Sequence, residues 1–220
     1  MRWRWLWAVF LLTASEVTAE SPLYWALANN DALEVWNLTA AEVPATLDET
    51  GGTVSAWAVA RGNAEAVDAL VWRGVPLNGV DDRGRNLLFD AASLGRLDLF
   101  DKIVAQGARV DQIDLTGQTL VHAAALSPHT EMLTKLLALG LGATERTALG
   151  LTPLMVACAG GRAQEAALLL AWGAVPEDED YLGRNVRGYA ESSGDEATLA
   201  VITEALTPWS IEAADAAPLP

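Results

Sequence analysis

The stretch TALGLTPLMVACAGGRAQEAALLLAWGAVPEDE, Thr147–Glu179, carries two helices and two stops. Thr152 and Pro153 open the first helix. The Thr hydroxyl can cap free backbone N–H groups, and Pro fits the first turn because its missing N–H has no intrahelical partner there. Small residues such as Ala157 follow and let a neighbouring helix come close. Gly161 ends this helix by taking a left-handed conformation that other residues resist. A second helix follows, and Gly173 stops it. The residues up to the next unit form a finger-like turn. Neither helix is long enough to bury its own apolar side, so the pattern needs a neighbour on each flank.

The neighbours are in the sequence. Gly51, Gly84, Gly117, Gly150 and Gly183 recur at one constant step, and Ala58, Ala91, Ala124, Ala157 and Ala190 recur at the same step. Gly62, Gly95, Gly161 and Gly194 hold a third register, with Pro128 at the missing place. Gly74, Gly107, Gly140 and Gly173 hold a fourth. A fixed period in the range of roughly 20–50 residues is the mark of a stacked repeat. Asp81–Ile113 and Asp114–Arg146 are the two units before the quoted one. Met132, Leu133, Leu136 and Leu137 show the apolar spacing of the second helix.

These units resemble the ankyrin repeat, whose pattern runs D-x-x-G-x-T-P-L-H-x-A-A-x-x-G-H and then a second helix ending L-L-x-x-G-A. GLTPLMVACAGG with LLLAWGA is the best local match, and the resemblance covers about Thr53 to Leu206. It implies an all-α ankyrin-repeat solenoid of helix-turn-helix units joined by finger-like β-turns. The repeats would occupy 49–206, a looser amino-terminal capping unit 20–48 and a carboxy-terminal tail 207–220. His122, one of two histidines, falls on the H of T-P-L-H, soon after Thr119. The resemblance gives it a turn-fixing role rather than a catalytic one. Phe89, Met155, Gly188 and Ala56 hold the equivalent places. His129 reads as a surface turn residue.

Composition narrows the function. A formal charge of −15 argues against nucleic acid and against an anionic membrane surface, both of which call for basic patches. A basic partner, or plain solubility, fits better. The first residues differ from the rest: Arg2 and Arg4 precede an apolar run Trp5–Leu12, and Val17-Thr18-Ala19 offers a cleavage site. We read 1–19 as a signal peptide cut after Ala19, with a membrane anchor as the alternative. Loss of Arg2, Arg4 and Glu16 would take the charge from −15 to −16. No later segment is apolar over the roughly 20 residues a membrane span needs. Cys158 is the only cysteine, so no internal disulfide can form, and its apolar surroundings read as core. The resulting expectation is an exported, periplasmic, monomeric protein with no cofactor, no metal and no catalytic residue.

The resemblance implies protein binding on a concave face made of finger tips and first helices. Leu115, Leu149, Leu151, Tyr181 and Leu182 are apolar at finger positions where polar residues are the default, and Arg83, Arg85 and Arg184 flank them. An apolar strip with a charged rim is a partner-binding surface of the ordinary kind. The partner would be an unidentified protein, met either as a general adapter's client or as one exported enzyme that this chain protects, inhibits or anchors. Three further readings complete the set. Glu177–Asp180 reads as a solvated acidic finger, and Trp25, Trp36, Trp57, Trp72 and Trp172 mostly as core fillers. Asn37-Leu38-Thr39 matches a glycosylation acceptor.

Overall fold

The structure is a computed structural model that describes Ala26, Asn29 and residues 31–37, 54–72 and 78–207. The signal-peptide reading of 1–19, most of the capping unit, Trp25, the Trp57 side chain, Leu38-Thr39 and the tail beyond Thr207 lie outside the described residues. The chain divides into two compact units, 1–91 with 98–109 and 92–97 with 110–220. The described elements are helices, with a single isolated bridge between Glu179 and Asn185.

In the first unit α1 is Ala32–Asn37, α2 Val54–Arg61 and α3 Ala64–Trp72, and α3 packs on both α1 and α2. Helices α4 (Leu87–Ser93) and α5 (Leu97–Ala105) follow. Short helices leave a large share of their N–H groups unpaired, so side-chain caps stabilise several starts. Asn63 Oδ1 accepts from Ala66 N–H at 2.8 Å ahead of α3, and Asn86 Oδ1 accepts from Leu88 N–H at 3.1 Å at α4.

The described residues of the second unit hold three helix pairs: α6 (Leu120–Ala125) with α7 (Thr130–Ala138), α8 (Pro153–Ala159) with α9 (Ala163–Ala171), and α10 (Val186–Ser193) with α11 (Glu196–Leu206). First helices α6, α8 and α10 pack in a row, and second helices α7, α9 and α11 form another behind them. Thr152 Oγ1 caps α8 by accepting from Met155 N–H at 3.3 Å, with Pro153 in the first turn as expected. Ala124 and Ala157 are fully buried, which lets first helices approach closely. Met132, Leu133, Leu136 and Leu137 are buried between second helices. Gly161 at φ 64° and Gly140 at φ 85° end their helices in the left-handed region. Where Pro128 replaces the glycine, α6 closes through Ser127 N–H on Ala124 C=O instead.

One expectation needs correction. Trp72 and Trp172 are 68% and 47% exposed, so neither fills a core. Trp172 caps the carboxy-terminal end of α9, the register place of Leu139, where the last turn leaves the packed row. The half-buried Trp36 ring lies 5.2 Å from that of Trp72, tilted 49°. Glu165 is a buried acid in the second unit. It stands one full repeat after Met132, at a place that Leu99 and Thr198 also share, and all four are buried. One carboxylate oxygen of Glu165 is buried without a hydrogen-bond partner. A buried carboxylate lacking partners is costly, and an apolar residue of like size removes that cost. Glu165→Met is therefore expected to raise stability by about 1–2 kcal/mol, read as a higher urea midpoint with an unchanged slope. A lower midpoint would show that the carboxylate is needed.

Candidate protein-binding face

Each finger is built on one oxygen-bearing side chain just before the register glycine. Asp81, Asp114, Thr147 and Asp180 occupy this place, one per repeat. In the second unit Asp114 Oδ1 accepts from the N–H groups of Thr116 and Gln118 at 2.8 Å each and from the Thr116 hydroxyl at 2.7 Å. Thr147 Oγ1 accepts from Leu149 and Leu151 N–H, and Asp180 Oδ1 from Leu182 and Arg184 N–H. Gly117, Gly150 and Gly183 take φ of 81°, 81° and 75° so that the chain turns back.

Successive fingers are joined by one rung each. Ala148 N–H donates to Thr116 C=O at 2.8 Å, and Tyr181 N–H donates to Leu149 C=O at 3.1 Å. Gly150 must be glycine for a second reason. A Cβ there would stand 2.8 Å from the Tyr181 nitrogen and 2.7 Å from its ring. Arg146 latches the third finger, donating to Gly150 C=O at 3.0 Å, to Glu179 C=O at 2.8 Å and to the Asp178 carboxylate.

These rungs set out the apolar strip. Leu115, Leu149, Tyr181 and Leu182 sit on consecutive fingers and are 59–77% exposed. Leu151 is placed differently. It is half-buried at the foot of its finger, with its N–H on Thr147 and its C=O on His122. The arginines are also placed differently. Arg85, in the first unit, binds Asp81 Oδ2 through Nε at 3.1 Å and a terminal nitrogen at 2.9 Å. Arg184 binds Asp180 Oδ2 through Nε at 2.8 Å and lies 4.9 Å from the Tyr189 ring centre. Both guanidinium groups brace their own fingers. Arg83, also in the first unit, donates its backbone N–H to Asp81 and keeps its side chain exposed.

The acidic run Glu177–Asp180 is not a uniform solvated finger. Glu177 and Glu179 are exposed, Asp178 pairs with Arg146, and Asp180 is buried. The Tyr189 hydroxyl donates to Asp180 at 2.7 Å and, with the two backbone N–H groups and Arg184, holds the carboxyl well below the usual carboxylate range.

His122 is fully buried between two repeats. Its Nε2 is 3.0 Å from Leu151 C=O, which can only accept, so Nε2 carries the proton. Nδ1 then accepts from Thr119 N–H at 3.2 Å and lies 2.9 Å from the Thr119 hydroxyl. Burial pushes its pKa below the ordinary value, which keeps the ring neutral. Both nitrogens are occupied by structural partners. Cys158 is fully buried in α8, and burial pushes its thiol up to about 12. His129 is exposed, ahead of α7, with its ring against Gly95. Among the described residues no group of three His, Cys, Asp or Glu side chains is placed to hold a metal ion. None of the described helices is long and apolar enough to cross a membrane.

Residues 88–180 match the family model for ankyrin repeats in three copies. No curated protein matches the chain. Over these residues the fold is thus the all-α ankyrin-repeat fold that the resemblance implies, and such repeats generally mediate protein–protein interaction.

Proposed function

We propose that the chain is a non-catalytic protein-binding module of the cell envelope, and that it holds its partner on the finger tips of the second unit. The observation that carries this is the row Leu115, Leu149, Tyr181, Leu182. Four large apolar side chains stand in solvent on fingers whose internal bonds do not use them. Leaving such side chains exposed forfeits burial energy unless something covers them. The function lives in this surface rather than in the fold, since ankyrin stacks share the fold whatever they bind.

Export is the second part of the proposal. It rests on the amino-terminal pattern of Arg2, Arg4, the apolar run and the small residues before Glu20. Protein recovered from the envelope is expected to begin at Glu20 when sequenced from its amino terminus. An intact Met1 in a membrane fraction would overturn the export reading and leave the binding reading standing. Binding is tested by cross-linking the full chain in envelope extract beside a variant with Leu149, Tyr181 and Leu182 changed to Ser. A species cross-linked to the native protein and lost from the variant supports the reading. Identical patterns from the two would remove the finger tips from consideration.

A further inference from the structure

On the first-helix side of the second unit lies an open cleft of about 200 Å³. Leu126, Leu151, Val156, Ala159 and Tyr189 form its walls, with buried Met155 at its base. It falls short of the roughly 300–1,000 Å³ of small-molecule and cofactor pockets, so its size suits one side chain. The lining is mostly carbon, because the single polar side-chain group, the Tyr189 hydroxyl, donates its hydrogen bond to Asp180 at 2.7 Å. A guest in this cleft is therefore aliphatic.

Two cations touch residues of the cleft wall. Arg162 donates from Nε to Leu126 C=O at 3.0 Å, and its stem lies against Gly160, also in the cleft wall. Arg184 lies over the Tyr189 ring. Three of the neighbouring carboxylates are already engaged. Asp180 holds Arg184 and Tyr189. Asp195, packed beside Gly161, accepts from Thr198 N–H and hydroxyl at 2.7 and 2.6 Å. Glu191 pairs with Arg187. Arg162 has no carboxylate within ion-pair distance among the described residues. An uncompensated guanidinium beside an apolar cleft runs against the net charge of −15.

We infer that this cleft is the socket for one aliphatic side chain of a partner protein's extended segment, and that Arg162 receives a carboxylate standing next to that side chain. The inference rests on the reading of the second unit as a protein-binding face and gives that partner a local chemistry, an acidic–aliphatic segment. A guanidinium with its stem fixed by Nε still presents its terminal nitrogens, which suit a carboxylate's two oxygens.

The test uses the full chain and three fluorescein-labelled heptapeptides read by anisotropy. Their sequences are Ser-Gly-Glu-Leu-Asp-Gly-Ser, the same with Lys at both acids, and the same with Ser for Leu. The acidic Leu peptide is expected to bind at least tenfold tighter than either of the others. Ala159→Trp, which fills the cleft from an exposed position, is expected to weaken it at least tenfold. Arg162→Gln keeps a donor for Leu126 C=O and is expected to abolish the preference for acid over Lys; it decides the matter if Ala159→Trp does not fold. Equal binding of acidic and basic peptides, or an acid preference that survives Arg162→Gln, would overturn the proposal. The chain carries such a pair itself, Ile211-Glu212. Binding seen only after Ile211→Ser with Glu212→Ser would make the chain's own tail the occupant and would equally overturn it. The finger variant with Leu149, Tyr181 and Leu182 changed to Ser is expected to keep its peptide affinity. If no peptide binds while that variant still loses its cross-linked partner, the socket falls and the binding face stands.

Discussion

His122→Ala is expected to lower the free energy of unfolding by about 3 kcal/mol. The ring is fully buried and satisfies Leu151 C=O on one side and Thr119 N–H on the other. Truncation removes both bonds. Leu151 C=O keeps the Thr147 N–H at 3.0 Å, but Thr119 N–H is left unpaired away from water, at roughly 1–3 kcal/mol, and the lost ring volume leaves a cavity. Urea denaturation with unchanged slope is the measurement, and a loss below about 1 kcal/mol would mean that the contacts are replaced. The same residue sets a pH dependence. Burial holds the folded pKa below the ordinary 6.5, although the charges of Asp114 and Glu145 and the bond to Leu151 act in the other direction. The unfolded chain therefore takes up a proton near pH 6.5 that the folded chain refuses. The stabilisation is complete above about pH 6.5 and is lost as pH falls below it, by at most about 1.4 kcal/mol per pH unit. His122→Gln is expected to flatten the part of the melting profile between about pH 7.5 and 5.5 that belongs to this ring. An unchanged profile would assign that slope to carboxylates.

Changing Leu149, Tyr181 and Leu182 together to Ser is expected to weaken partner binding by about a hundredfold or more. A Leu fully buried at an interface contributes roughly 1.5–3 kcal/mol, and tyrosines are frequent anchors. Even with incomplete burial the three sum to about 3 kcal/mol, and each decade of affinity is about 1.4 kcal/mol. Stability should change little, because these side chains stand mostly in solvent and the finger bonds run through backbone, Thr147 and Asp180. Leu151 is left out of the variant. Its half-buried side chain lines the cleft and its C=O holds His122, so replacing it would confound binding with folding. Glu131→Ser on α7 is the control and should bind as the native chain does. Calorimetric titration against the cross-linked partner decides the matter. Equal affinities would dismiss the strip, and a large drop in melting temperature would place the residues in the core.

The fold was legible because left-handed turns can be written almost only with glycine. The recurrence of Gly84, Gly117, Gly150 and Gly183 therefore reports backbone directly. Exposure at the fingers followed from the same spacing. Pairing did not. Arg85 and Arg184 read as rim charges because their partners, Asp81 and Asp180, lie one short turn back, inside a loop whose closure no charge count reveals. The signal that would have found them was the same period, since Asp81, Asp114, Thr147 and Asp180 recur once per repeat with an oxygen in each. The buried carboxylate of Glu165 drew no reading from the sequence. Its register companions are Leu99 and Met132, and nothing in its own neighbourhood announces a carboxylate in the core. The cleft beside Tyr189 was not visible at all, because it is made where three first helices and one finger foot meet.

The single rung between fingers has a consequence for inheritance. Ala148 donates to Thr116 and Tyr181 donates to Leu149, so both donor and acceptor of one rung lie exactly one repeat before those of the next. Excising 147–179 from the gene would bring Asp180 directly after Arg146 and set Tyr181 where Ala148 had been, with its N–H facing the Thr116 carbonyl. Such a chain is expected to fold cooperatively, one helix pair shorter, whereas a deletion that is longer or shorter by a few residues should not, because it throws every later joint out of phase. Circular dichroism melts of the three would show it, and a non-cooperative melt of the in-register deletion would refute it. A reading frame built this way can gain or lose a whole unit by unequal crossing-over and still encode a folded protein, so the length of the molecule is free to drift while its joints stay the same.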